Sequence, residues 1–186
     1  MVATSVLKAS LPLAVLFPVA LLAGVAAGAF SGLLAGLFIT RFRITPFIVT
    51  LALMTVWRGA SYMYTDGRPV WGLPEEFSLL GSGRLLAVPF PTIIMVVVFV
   101  AAYVVLNQTR FGRYVYAVGG NADAARLAGI DTKRTLVNVY VMSGTLAGLS
   151  GILLASRMNS GQPNAGMMYE LDVIAAVVVG GTSLSG

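Results

Sequence analysis

Residues 9–40, with the sequence ASLPLAVLFPVALLAGVAAGAFSGLLAGLFIT, contain no Asp, Glu, Lys or Arg. A helix that crosses the hydrocarbon core of a bilayer needs about 20 predominantly apolar residues, and this run is longer than that. Residues 85–109 and 135–156 are also uncharged and long enough to cross. The sequence therefore predicts three membrane spans, at residues 13–40, 88–107 and 135–156.

The amino-acid composition argues against a soluble protein and against most enzyme chemistries. Hydrophobic residues make up 58% of the chain and charged residues 10%, with a mean hydropathy of +0.88. A soluble domain carries about 25% charged residues. The sequence contains neither Cys nor His, which removes disulfides, thiolate nucleophiles, the usual zinc sites and the commonest general base. We expect no catalytic residues, no metal and no cofactor.

The net charge of +5 comes from basic residues scattered between the apolar runs. Without a contiguous basic patch, nucleic acid is not an expected partner, whereas membrane lipid is. We interpret the cations as topology signals, because cytoplasmic loops carry an excess of Lys and Arg. This rule places the N-terminus outside, with seven cations in the cytoplasm (Arg41, Arg43, Arg110, Arg113, Arg126, Lys133 and Arg134) against four outside (Lys8, Arg68, Arg84 and Arg157).

Two further segments are predicted to be embedded. Residues 46–65 begin with a proline suited to the first turn of a helix and form a fourth span, interrupted only by Arg58. Residues 173–186 are uncharged but short for a span. They suit a half-embedded segment at about residues 169–180, as transporters use to line a cavity, and equally the start of a complete span. The Gly- and Pro-rich residues 66–91 predict an irregular surface connection.

Small residues recur along one side of the first predicted span. Gly24, Gly28, Gly32 and Gly36 are spaced four apart, so the stripe drifts by about 40° per step around a helix axis. Such a stripe lets another helix approach closely at a crossing angle. We interpret it as a packing surface, with an interface that slides during transport as the alternative.

Arg58 is an ionisable residue well inside a predicted span. Its long side chain can reach the outer interface, or it can pair with Glu170 or Asp172 within the membrane. Both possibilities stay open at the level of sequence.

A short capped helix is predicted in the basic loop, at residues 122–128. Asn121 is a suitable N-cap, Asp123 falls in the first turn, and Gly129 occupies the position after the helix. So short a helix needs something to pack against, either a partner protein or the membrane surface. The small side chains of Ala124, Ala125 and Ala128 favour close docking into a partner groove.

Four stretches carry a resemblance to a known family. They are TPFIVTLALMTVWRGASYMYTDGRPV, TRFGRYVYAVGGNADAARLAGI, SGTLAGLSGILLASR and QPNAGMMYELDVIAAVVVGGTSLSG, in this order. Together they resemble the permease subunit of ribose-type sugar ABC importers over residues 43–186. The runs AVGGN, AARLAGI and YELDVIAAVVVGGTSLSG are specific to that group. Because members of the family are longer, the resemblance implies that this chain is the central part of such a permease.

The resemblance implies an all-α integral membrane protein, a multi-span helical bundle of the ABC importer permease type in the inner (cytoplasmic) membrane. It implies a second permease copy or close paralogue, a separate cytoplasmic ATPase and an extracytoplasmic sugar-binding protein. No GxxxxGK[ST] phosphate loop is present, as expected if ATP hydrolysis occurs on the separate subunit. The loop at residues 110–134 then contains the helix that couples the permease to the ATPase, with these candidate residues: Arg110, Gly112, Arg113, Gly119, Gly120, Asn121, Ala124, Ala125, Arg126, Leu127 and Gly129.

Polar residues near the outer end of the last span are candidates for the solute path, although each could instead cap a helix. They are Gln162, Asn164, Tyr169, Glu170 and Asp172, together with Arg58. The expected function is import of a monosaccharide such as ribose, without chemical change. A permease for a nucleoside or a branched-chain amino acid is the alternative. An intramembrane enzyme using Glu170 and Asp172 is disfavoured, because residues two apart on a helix point about 200° apart.

Overall fold

The computed structural model describes residues 1–7, 13–85 and 88–181. Lys8, which was counted among the outer cations, lies outside these residues. Residues 182–186, the end of the uncharged run that starts at residue 173, also lie outside them. The described chain is mainly helical and has almost no strand, which confirms the predicted all-α fold. Its helices are α1 Val2–Val6, α2 Leu13–Phe42, α3 Pro46–Thr65, α4 Glu75–Ser82, α5 Phe90–Gln108, α6 Arg110–Gly120, α7 Ala122–Leu127, α8 Thr132–Met158 and α9 Tyr169–Val179. Two short antiparallel strands, β1 Arg84–Leu85 and β2 Val88–Pro89, precede α5.

The centre of the fold is an antiparallel pair formed by α2 and α8. The glycine stripe of α2 lies directly against the α8 backbone, so that Gly36 meets Val137, Gly28 meets Gly148 and Gly24 meets Ile152. A Cβ atom added to Gly28 would lie 2.9 Å from the Cα of Gly148. The absence of side chains therefore sets the separation of the two helices, and van der Waals contact between backbones holds them.

A small apolar core closes one end of this pair. It contains Ala3 and Leu7 at the N-terminus, Phe77 from α4 and Ile152 from α8. The Ser156 hydroxyl donates a hydrogen bond to the Phe77 carbonyl. The predicted irregular connection was thus wrong in part, because residues 75–82 form a helix. Phe77 of this helix is 2% exposed, and the burial of its side chain in the apolar core stabilises the helix against α8.

The opposite end joins α2 to α3 and to the start of α8. Ala35, Ile39 and Val49 form a second buried cluster, against which Tyr140 packs. Arg43 adopts a left-handed φ of 56° in the short α2–α3 connection. Because α2 and α8 are antiparallel, this end gathers the cations at the end of α2 with those around the start of α8.

Three helices in the described residues are long and apolar enough to cross a membrane, namely Phe17–Phe42, Phe90–Gln108 and Thr132–Met158. Helix α3 has 20 residues but falls outside this group, so the fourth span stays a prediction. Within α5, which the structure describes in full, no residue is buried. Its exposed Val97, Phe99 and Val100 require an apolar environment such as lipid or further helices.

Candidate functional site: the loop between α5 and α8

The chain turns sharply where α5 ends and α6 begins. The Thr109 hydroxyl donates to the Val105 carbonyl at 2.6 Å and accepts from the Gly112 amide at 3.2 Å, capping both helices. Gly112 is buried against the Leu106 backbone, where an added Cβ would collide with the Leu106 carbonyl. The corner therefore depends on the Thr109 hydroxyl and on the missing side chain three residues later, at Gly112. Sequence reasoning missed Thr109, although a Thr before a helix is a capping signal.

Helix α6 is amphipathic and lies at the end of a predicted span. Phe111 and Val115 are partly buried, whereas Arg110, Arg113 and Tyr114 are exposed. Gly119 and Gly120, two of the candidate coupling residues, complete the last turn of α6. The Asn121 amide donates to the Ala117 carbonyl at 3.1 Å, which continues the helical hydrogen bonding to that point.

Helix α7 is held by caps at both ends. The Asn121 Oδ1 accepts from the amides of Asp123 at 3.0 Å and Ala124 at 2.9 Å. At the other end Gly129 has a φ of +82°, and the Ile130 amide donates to the Ala125 carbonyl at 3.0 Å. These bonds satisfy backbone groups that six residues of helix would otherwise leave unpaired.

The two faces of α7 differ from the sequence expectation. Ala125 is 4% exposed and so packs against this chain itself. Leu127 is 91% exposed, and Ala124 and Ala128 beside it are also exposed. Ala125 is the buried residue of α7, and the exposed remainder includes an apolar strip of Ala124, Leu127 and Ala128 beside the charged Asp123 and Arg126. We call Ala124, Leu127 and Ala128 the α7 outer face.

Helix α8 begins at a second capped turn that sequence reasoning missed. The Asp131 carboxylate accepts from the Arg134 amide at 3.0 Å, and the Arg134 side chain pairs with the same carboxylate at 3.0 Å. Arg126 pairs more loosely with Asp123, at 3.7 Å. Both ion pairs are exposed, so their contribution to stability is small. Each pair is local, the Arg126 pair within α7 and the Arg134 pair within the first turn of α8.

Among the described residues, the candidate solute-path residues line neither the cavity between α5 and α8 nor the one where α2, α3, α7 and α8 meet. Arg58 is half-buried and, among the described residues, forms no ion pair with Glu170 or Asp172. The Gln162 amide donates to the Ser160 hydroxyl at 3.4 Å, and the Asn164 carbonyl accepts from the Met167 amide at 3.3 Å. Residues 171–180 of the α9 region are all exposed. The pairing of Arg58 with either acid is thus absent from this part of the chain.

No group of His, Cys, Asp or Glu in the part of the chain that the structure describes could hold a metal ion. Helices α6 and α7 form an exposed surface next to the ends of three apolar helices, α2, α5 and α8.

The entire chain, residues 1–186, matches the family described as branched-chain amino acid transport system / permease component. The chain belongs to this permease family. Its similarity to individual members is high. Over 153 residues it is 52% identical to the ribose import permease protein RbsC of Bacillus subtilis, covering 81% of this chain and 48% of the relative. Over 189 residues it is 43% identical to RbsC of Haemophilus influenzae, covering 100% of this chain and 57% of the relative.

Arabinose permeases are also similar to this permease-family chain. The L-arabinose ABC transporter permease protein AraH of Azospirillum brasilense is 44% identical over 163 residues, covering 88% of this chain and 48% of the relative. The chain thus spans about half the length of the curated relatives that it matches. No solved structure matches it.

Proposed function

We propose that this chain is part of the permease subunit of an ATP-driven importer that moves a monosaccharide, ribose in the first instance, across the cytoplasmic membrane. The observation that carries this proposal is the match of the whole chain to a permease family, with sugar permeases as relatives. The structure contributes apolar helices for the membrane and a capped surface helix for a partner.

The choice of sugar rests on the relatives. The ribose permeases of Bacillus subtilis, Escherichia coli and Haemophilus influenzae are 52%, 48% and 43% identical to the chain, and the arabinose permeases of Azospirillum brasilense and Escherichia coli are 44% and 43% identical. The family description names branched-chain amino acids, which keeps that class of solute as the second candidate. The margin between ribose and arabinose relatives is small, so we propose a pentose and rank ribose first.

The α7 outer face is the proposed contact for a separate ATPase subunit in the cytoplasm. ATP binding would close the ATPase, move α7, and pass the displacement through Thr109 to α5 and through Asp131 to α8. Side-chain hydrogen bonds of Thr109 and Asp131 fix the adjoining helix ends, so a displacement of the loop would be transmitted to α5 and α8. The spans would then expose a central path alternately to each side, together with a second permease copy. An extracytoplasmic binding protein would deliver the sugar.

Solute uptake tests the proposed function. Proteoliposomes containing the full-length permease with its ATPase and binding protein should take up labelled ribose only with ATP inside. Unlabelled ribose should compete strongly, arabinose less, and leucine not at all. Competition by leucine but not by ribose would replace the sugar assignment with the amino-acid alternative, and uptake without ATP would contradict the ATP-driven mechanism.

The orientation can be checked by cysteine labelling, since the chain has no native Cys. Ala122 and Ser82 are exposed and lie at opposite ends of the α2–α8 pair. In intact cells, Ser82→Cys should react with a membrane-impermeant maleimide, whereas Ala122→Cys should react only after the membrane is permeabilised. The reverse pattern would place α7 outside the cell and remove the basis for ATPase contact there.

A further inference from the structure

A cavity of about 750 Å³ lies where α2, α3, α7 and α8 meet. Three cationic residues line it, namely Arg43 after α2, Arg126 in α7 and Lys133 in the first turn of α8. No acidic residue of the described chain is among the lining residues. These cations are far apart in sequence, and only the antiparallel packing of α2 and α8 brings them to one cavity.

The charges in this cavity are largely uncompensated. Within the described residues, Arg43 and Lys133 have no acidic partner, because the two ion pairs found join Arg126 to Asp123 and Arg134 to Asp131. The Arg126 pair is long, at 3.7 Å, and exposed. Cations that share a cavity without acids repel one another, and an anion bound among them would remove that repulsion.

The rest of the lining indicates which anion fits. Ile39, Ile44 and Leu136 form an apolar wall beside the cations. Ile39 belongs to α2 and Leu136 to α8, two helices that are apolar enough to cross a membrane, and the cavity lies at their shared end. An anion bound here would thus have water and cations on one side and an apolar surface leading toward the hydrocarbon core on the other. A phosphodiester that carries acyl chains could contact both the cations and the apolar wall, whereas a small soluble phosphate could contact only the cations.

We propose that this cavity binds the phosphate headgroup of an anionic phospholipid, with its acyl chains along the Ile39 and Leu136 wall. Arg43 and Lys133 contact the phosphate, and Arg126 extends the site toward α7. Basic pockets between membrane helices are suited to such headgroups. A lipid bound here would join the end of α2 to the loop that carries α7. The proposal rests on the membrane fold and not on which solute the protein moves.

Titration with lipid tests this site. The purified protein in phosphatidylcholine nanodiscs would receive increasing dioleoyl phosphatidylglycerol, with bound lipid counted by native mass spectrometry after release. The variant R43Q/K133Q removes two exposed cavity cations and should weaken binding about 30-fold. The matched control R110Q/R113Q removes two cations from the neighbouring helix α6 and should change binding less than about 3-fold. The charge-preserving variant R43K/K133R should keep binding and shows that the positions tolerate substitution.

Three results would overturn the proposal. Equal weakening in R43Q/K133Q and R110Q/R113Q would show diffuse attraction of lipid to a basic surface. Displacement of the lipid by millimolar sn-glycerol 3-phosphate would identify a site for soluble phosphate esters. Unchanged lipid binding in R43Q/K133Q, with or without weaker co-purification of the ATPase, would exclude lipid as the ligand of these cations, and loss of the ATPase would assign them to protein contact.

Discussion

Replacing Leu127 with Asp should abolish ATP-driven uptake while leaving the permease folded in the membrane. Leu127 is 91% exposed and central to the α7 outer face, so its side chain contributes little to the packing of this chain. Burial of a leucine against a partner stabilises a complex by about 1.5–3 kcal/mol, and a carboxylate in the same apolar contact carries a further desolvation cost. The affinity of the ATPase for the permease should fall on the order of 100-fold or more.

The measurement is co-purification of the ATPase with the full-length permease, together with sugar uptake. Leu127→Met is the matched control, because it keeps an apolar side chain of similar volume and should retain both activities. Ala125 is a poor position for this test, because it is buried within the chain and a larger residue there would disturb α7 itself. If Leu127→Asp bound the ATPase normally, the α7 outer face would not be the contact.

Replacing Gly28 with Leu should separate α2 from α8 and destabilise the whole bundle. A side chain at this position would meet the Gly144 carbonyl and the Gly148 backbone, which are parts of a helix and cannot rotate away as a flexible side chain can. Overpacking in a protein interior typically costs about 1–3 kcal/mol, and we expect a value at the upper end because backbone must move. The permease should lose thermal stability and also the relative placement of the α2 and α8 ends.

Gly151→Leu provides the matched control for that variant. Gly151 lies in α8 close to the contact, but a Cβ atom there would have nothing within 4 Å. The same substitution should be neutral or slightly stabilising, since leucine has a higher helix propensity than glycine. Thermal aggregation of the two purified variants gives the comparison. Equal stability of Gly28→Leu and Gly151→Leu would mean that the α2–α8 contact is looser than the structure shows.

Local features of the chain were predictable from the sequence. Uncharged runs set the long helices, because an apolar segment in lipid must satisfy its backbone hydrogen bonds internally. The position of α7 followed from Asn121 and Gly129, since an N-cap side chain and a glycine after a helix act through hydrogen bonds only a few residues away. Helix α4 was missed because the glycines and prolines around it predicted a loop, while its stability comes from burying Phe77 against distant residues.

The sequence by itself indicated the long apolar helices, the short helix α7, the family resemblance and the presence of a packing stripe in α2. The tertiary structure alone decided that α8 is the partner of that stripe, that Leu127 and not Ala125 faces outward, and that Arg43 and Lys133 line one cavity. It also decided that Arg58 forms no ion pair with Glu170 or Asp172 among the described residues. The physical reason is the range of the interactions: helix formation and capping depend on neighbours within one turn, whereas the outward face of a short helix and the convergence of distant cations depend on how the helices pack.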